Sequence, residues 1–227
     1  MHILIAWLSA RIKAVELRAP VQPATRLARY YHKTYREKNM KNAISFLTAG
    51  LLTLPCHADS PQVRRIDPDI GSVTWETQAH GVLFSLTQIL PEQVQAFYVN
   101  RGFTLQQIEP YTSSCVYMIV VRNDTAPGTI HFITRNWYVF TEGKAHKLTS
   151  VESWIQTLSK DNIMKPALTA FHWAQFPAEQ EYAPGGNWNQ GMLSFGLEPG
   201  AQFDVTARWD IDGKAFEAKL QGVQCAR

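Results

Sequence analysis

Residues 201–225 read AQFDVTARWDIDGKAFEAKLQGVQC, and their alternation decides the fold class. Phe203, Val205, Ala207, Trp209 and Ile211 alternate with Asp204, Thr206, Arg208 and Asp210, a period of two that belongs to a strand with one buried face. Asp212-Gly213 follows, the dipeptide that supplies two left-handed residues to a tight hairpin. The returning stretch places Phe216, Ala218 and Leu220 on one face and Glu217 and Lys219 on the other. The reading is a half-buried antiparallel hairpin.

Working outward, the same signals recur upstream. CVYMIVVRN (115–123) reads as a central strand, DTAPG (124–128) as a turn, and TIHFIT (129–134) and NWYVF (136–140) as further strands before a turn in EGKA (142–145). GMLSFGL (191–197), SVTWET (72–77) and GVLFSLTQI (81–89) add three more. PALTAFHWAQFP (166–177) puts Ala167, Thr169, Phe171 and Trp173 on one face between prolines and is read as a strand. Two helices interrupt the series. PEQVQAFYVNRG (91–102) opens on proline with an early Glu92 and closes on Gly102, and TSVESWIQTL (149–158) spaces Thr149 and Glu152 as a capping box. About eight short strands with two connecting helices predict a mainly β domain, an antiparallel β-sandwich.

Residues 40–58, MKNAISFLTAGLLTLPCHA, have the order of a secretory signal: a start-competent Met40, Lys41, an apolar run from Ala43 to Leu54 and a small-residue exit at Ala58. A run of about a dozen apolar residues is short of the roughly 20 that span a bilayer. Residues 1–39, basic and without hydrophobic periodicity, are read as an extension of the gene model or a basic leader. The exported domain is then residues 59–227, and the expected location is the periplasm or the medium.

That partition changes the meaning of the charge. The whole chain carries +3, yet residues 1–58 hold 9 Lys+Arg against 2 Asp+Glu, while residues 59–227 hold 13 against 17. A mildly acidic domain has no electrostatic footprint for nucleic acid or an anionic membrane surface. Removing the leader also removes Cys56 and leaves Cys115 and Cys225, an even pair in an exported chain, expected to form a disulfide. A bridge from mid-chain to the last strand resembles that of an immunoglobulin-like sandwich, the expected form of the fold.

Three constellations bear on function. In EYAPGGNWNQGM (181–192), read as a loop whose glycines make the backbone adjustable, Tyr182, Asn187, Trp188, Asn189 and Gln190 combine aromatic faces with amide donors and acceptors, the groups that bind a glycan or an extended peptide. His80, His131, His146 and His172 with Met118, Met164 and Met192 are ligand types for copper, but none falls at a diagnostic spacing. Within residues 59–227, Ser, His and Asp occur without a Gly-x-Ser-x-Gly elbow or a Cys–His neighbour pair, and the close carboxylates Asp67/Asp69 and Asp210/Asp212 sit in turn contexts. Asn123-Asp124-Thr125 matches a glycosylation sequon and is read as a turn, and Arg64-Arg65 as part of a mobile terminus. The expectation is an exported, non-catalytic binding or accessory protein without a cofactor that recognises an extracytoplasmic protein or glycan. A copper-handling protein is the alternative, and a hydrolase with a triad assembled across loops the second alternative.

Overall fold

A computed structural model describes residues 60–227. The proposed signal, the segment before it and Cys56 lie outside the described residues. The chain forms two antiparallel sheets. The first has the order β1(Ser60–Ile66), β2(Val73–Ala79), β3(Val82–Gln88), β4(Val116–Asn123), β9(Asn187–Ser194). In the second, β10(Gln202–Ile211) pairs with β11(Lys214–Gln224) on one side. On its other side it takes β5(Ile130–Ile133) and β6(Tyr138–Thr141), laid end to end around a 3-10 turn at Thr134–Asn136. The short strands β8(Glu179–Tyr182) and β7(Lys144–His146) border β5 and β6.

Three hairpins share one chemistry. His80-Gly81, Glu142-Gly143 and Asp212-Gly213 join β2–β3, β6–β7 and β10–β11, and all six residues have positive φ, as a type I′ turn requires. The β10–β11 register confirms the alternation read from the sequence: Val205, Ala207, Trp209, Ile211, Ala218 and Leu220 are all buried.

The sandwich core between the sheets holds Trp75, Phe84, Leu86, Tyr117, Phe132, Trp137 and Phe176. A second core lies on the outer face of the first sheet, under α1(Pro91–Val99), α2(Leu105–Thr112), α3(Val151–Leu158) and α4(Lys165–Ala174). Val94, Tyr98, Ile108, Tyr111, Leu158 and Phe171 meet Val116 and Met192 there. Strand β4 serves both cores, with Tyr117, Ile119 and Val121 turned to the sandwich and Val116 and Met118 to the helices. Burial on both faces is why its sequence is a continuous apolar run instead of an alternation.

The β-sandwich is therefore present, with eleven strands among the described residues where about eight were expected and four α-helices in place of two. Residues 165–174 are helical, not a strand. Ala167 and Phe171, four apart, are both buried and Pro166 sits in the first turn, whereas Trp173 on the presumed strand face is 81 % exposed. Helix α2 was missed because Pro110 lies inside it; its start is capped reciprocally by Thr104 and Gln107. Helix α3 is capped by Ser150, whose Oγ accepts from Ser153 N–H at 3.1 Å, and not by Thr149. Arg64 and Arg65 belong to β1, with Arg65 paired to Glu76 at 2.7 Å. Four consecutive strands stay in the first sheet, so the strand order differs from the ABED/CFG order of an immunoglobulin domain. Cys115, just before β4, is bonded to Cys225, just after β11, with 5.3 Å between Cα atoms, and so ties one sheet to the other.

Candidate functional site

Strand β9 changes character halfway along: Asn187–Gln190 are exposed and Gly191–Ser194 are buried. Its register with β4 pairs Arg122 with Trp188, Val121 with Asn189 and Met118 with Met192. Trp188, Gln190 and Met192 therefore share the face that carries the helical layer. The helices cover Met192 but not Trp188, which is 50 % exposed. Asn187 and Asn189 point to the opposite face.

The five residues expected to act together are thus divided. Trp188 and Gln190 lie on one face of β9 and Asn187 and Asn189 on the other. Tyr182 is a core residue, 4 % exposed, its ring 5.5 Å from that of Phe132. Burial pushes its phenol up to about 12, with the Asn189 side chain acting weakly in the other direction.

β9 is also the border of its sheet. Phe176 N–H donates to Met192 O at 2.8 Å, from the side away from β4. In a strand the N–H and C=O of one residue point the same way and alternate along the chain, so those of Trp188 and Gln190 also face away from β4. The Gln190 N–H donates to Asn189 Oδ1 at 2.7 Å. No strand pairs with this side at residues 188–190 among the described residues. The Trp188 N–H and both carbonyls have no backbone partner on this side among the described residues.

What holds the border straight is a buried relay. Tyr111 donates to Gln175 Oε1 at 2.8 Å, Gln175 Nε2 donates to the Tyr98 hydroxyl at 2.8 Å, and Tyr98 donates to Met192 Sδ at 3.5 Å. Burial raises both phenols well above the ordinary tyrosine range, so they remain neutral donors. The relay anchors Gln175 and Phe176 beside β9, where Gly191 permits the approach: a Cβ there would lie 2.5 Å from Phe176 Cα and 2.6 Å from Gln175 C.

The four histidines named for copper sit on separate elements. His80 is in the β2–β3 turn, His131 on β5, His146 on β7 and His172 on α4. Met192 is buried in the helical core with Met118 packed against it, and Met164 is exposed at the start of α4. Among the described residues no three His, Cys, Asp or Glu side chains are placed to hold a metal ion. His131 is instead held between carboxylates, Nδ1 3.2 Å from Asp210 and Nε2 2.7 Å from Glu179, and the Glu179 hydrogen bond is the main cause of its raised pKa. This row across β10, β5 and β8 was not legible in the sequence, because its members are 31 to 79 positions apart and Asp210 reads as a turn residue. Asn123 of the sequon is fully buried, its amide donating to Gly128 O and Tyr182 O and accepting from Ala126 N–H, which is a turn anchor and not a glycan acceptor.

A shallow groove of about 260 Å³ on the outer face of the second sheet was also not foreseen. Tyr138 and Phe140 line it, and the charges beside them are spent on one another. Lys147 Nζ and Arg208 Cζ lie 3.9 and 4.6 Å from the Tyr138 ring centre. Glu217 takes both Lys219 at 2.9 Å and Arg208 at 3.3 Å, and Lys219 holds its carboxyl below the usual range. No family model, curated protein or solved structure matches the chain.

Proposed function

We propose that this is an exported, non-catalytic binding or accessory protein whose recognition surface is the bare first half of β9. One observation carries the reading: Trp188, a large aromatic side chain, is half exposed on a sheet border left without a neighbour at residues 188–190. Tryptophan is among the residues most enriched at the energetic centres of interfaces, and an uncovered strand is a template that natural proteins seldom leave bare without use. The rest of the fold favours a passive scaffold. The helical layer and the relay through Gln175 hold the lower half of β9, so the exposed half is presented on a rigid support.

Export rests on the apolar run from Ala43 to Leu54 with its small-residue exit at Ala58, and the Cys115–Cys225 bridge favours an oxidising compartment. An extracytoplasmic protein or glycan is the class of partner such a surface would meet. The test is an array of extended peptides and oligosaccharides probed with the wild-type chain and with Trp188→Ala. The expected outcome is binding that falls about tenfold or more in the variant at an unchanged melting temperature. Binding that survives the substitution would move recognition to another surface.

A further inference from the structure

We infer that the partner of β9 is an extended peptide segment, added to the first sheet as a further strand along Trp188–Gln190. The inference rests on the preceding reading of β9 as the recognition surface and specifies what it recognises.

The border already takes one bridge from its own chain. Gln175 forms a parallel bridge with Met192, and Phe176 N–H donates to Met192 O at 2.8 Å. The bridge is parallel, so α4 precedes it on the Gln190 side, and Pro177 follows it on the Ser194 side as the chain leaves for β8 in the second sheet. Among the described residues the border is paired at Met192 and unpaired at Gln190 and Trp188. A peptide laid beside these two residues would continue an arrangement that the fold begins. It would find a Trp188 N–H, a Trp188 carbonyl and a Gln190 carbonyl at the two-residue repeat of a strand.

Asn189 occupies the remaining position. Its Oδ1 accepts the Gln190 N–H at 2.7 Å, which satisfies that donor while the border is empty. An incoming carbonyl would replace a side-chain acceptor from the adjacent residue, so Asn189 stands in for the absent strand.

The surroundings select an uncharged segment. Arg122, cross-strand from Trp188, is engaged by Asp124 at 2.6 and 3.0 Å, so it offers little to an acidic ligand. The exposed indole of Trp188 suits an apolar side chain on the same face. A glycan is the weaker fit: it needs several free amides converging with the ring, whereas of the amides at 187–190 Gln190 alone shares the face of Trp188, Asn189 is spent on the Gln190 N–H, and Tyr182 is buried.

The experiment uses the full chain and three probes: acetylated, amidated octapeptides alternating threonine with valine or phenylalanine, the same peptides N-methylated at every residue, and chito-oligosaccharides. Amide hydrogen exchange and affinity are read together. Strand addition predicts at least tenfold slower exchange at the Trp188 amide on peptide binding, and at least tenfold weaker binding of the N-methylated peptides. Asn189→Ala, which frees the Gln190 N–H, should tighten binding about two- to tenfold, the worth of one hydrogen bond. The N-methylated arm needs no variant, so it decides even if Asn189→Ala fails to fold. Peptides that bind through Trp188 without protecting its amide would overturn strand addition and leave the recognition surface standing. Binding of chito-oligosaccharides in place of peptides would overturn it in favour of a glycan. No binding by either probe at Trp188 would overturn this inference together with the surface it rests on.

Discussion

His131 shows how a single residue acquires a property that its sequence neighbours do not announce. Its ring lies between Glu179 and Asp210, and both carboxylates favour the imidazolium, so its pKa in the folded chain stands above 6.5. A group whose folded pKa is raised contributes stability that is fully present below its unfolded pKa. That contribution is lost as pH rises through the folded value. The stability difference between the wild type and His131→Gln should therefore be largest below about pH 6 and shrink as pH rises past about 6.5. Urea denaturation of both chains across that range measures it; a difference that grows with pH would mean that the carboxylates do not act on the ring as their positions imply.

At the scale of elements, the contrast between β10 and α4 is one of context. Apart from the buried Thr206, β10 alternates because one face meets the core and the other meets solvent, and this pattern survives in the sequence. The residues of α4 carry apolar side chains on several sides, and Ala167, Thr169, Phe171 and Trp173 satisfy a period of two as well as Ala167 and Phe171 satisfy 3.6. Only the second core decides between them. Gly191 is the point where the end of α4 meets β9, since its missing Cβ lets Gln175 and Phe176 approach. Gly191→Ala should force that backbone away, lose the Phe176–Met192 hydrogen bond and destabilise by about 1–3 kcal/mol. Thermal unfolding checks the cost, and faster exchange at the Phe176 amide checks the cause. Trp188, which does not line either core, should tolerate alanine within about 0.5 kcal/mol.

For the whole molecule, the disulfide is the long-range tie. It closes 110 positions of chain and joins the start of β4 in the first sheet to the end of β11 in the second. Removing it by Cys115→Ala with Cys225→Ala should cost about 2–5 kcal/mol, read as a lower denaturant midpoint, because the unfolded chain regains the freedom that the bridge removes. Around that tie, what the sequence by itself determined was local: the β10–β11 hairpin through its alternation and Asp212-Gly213, the apolar run of β4, and the start of α1 at Pro91. Each depends on residues within a few positions, whereas the pairing of Cys115 with Cys225 followed from setting Cys56 aside with the stretch read as a leader. Tertiary structure alone decided the rest. It made 165–174 a helix by giving it a second core to face, separated Tyr182 from Trp188 although they are six positions apart, and gathered His131, Asp210 and Glu179 from three strands. It also turned what reads as a Gly-rich loop around Trp188 into the uncovered border of a sheet. The physical reason is that exposure and pairing are properties of surfaces brought together by folding. A sequence records the period of its apolar residues, but whether a strand has a neighbour depends on where the rest of the chain goes.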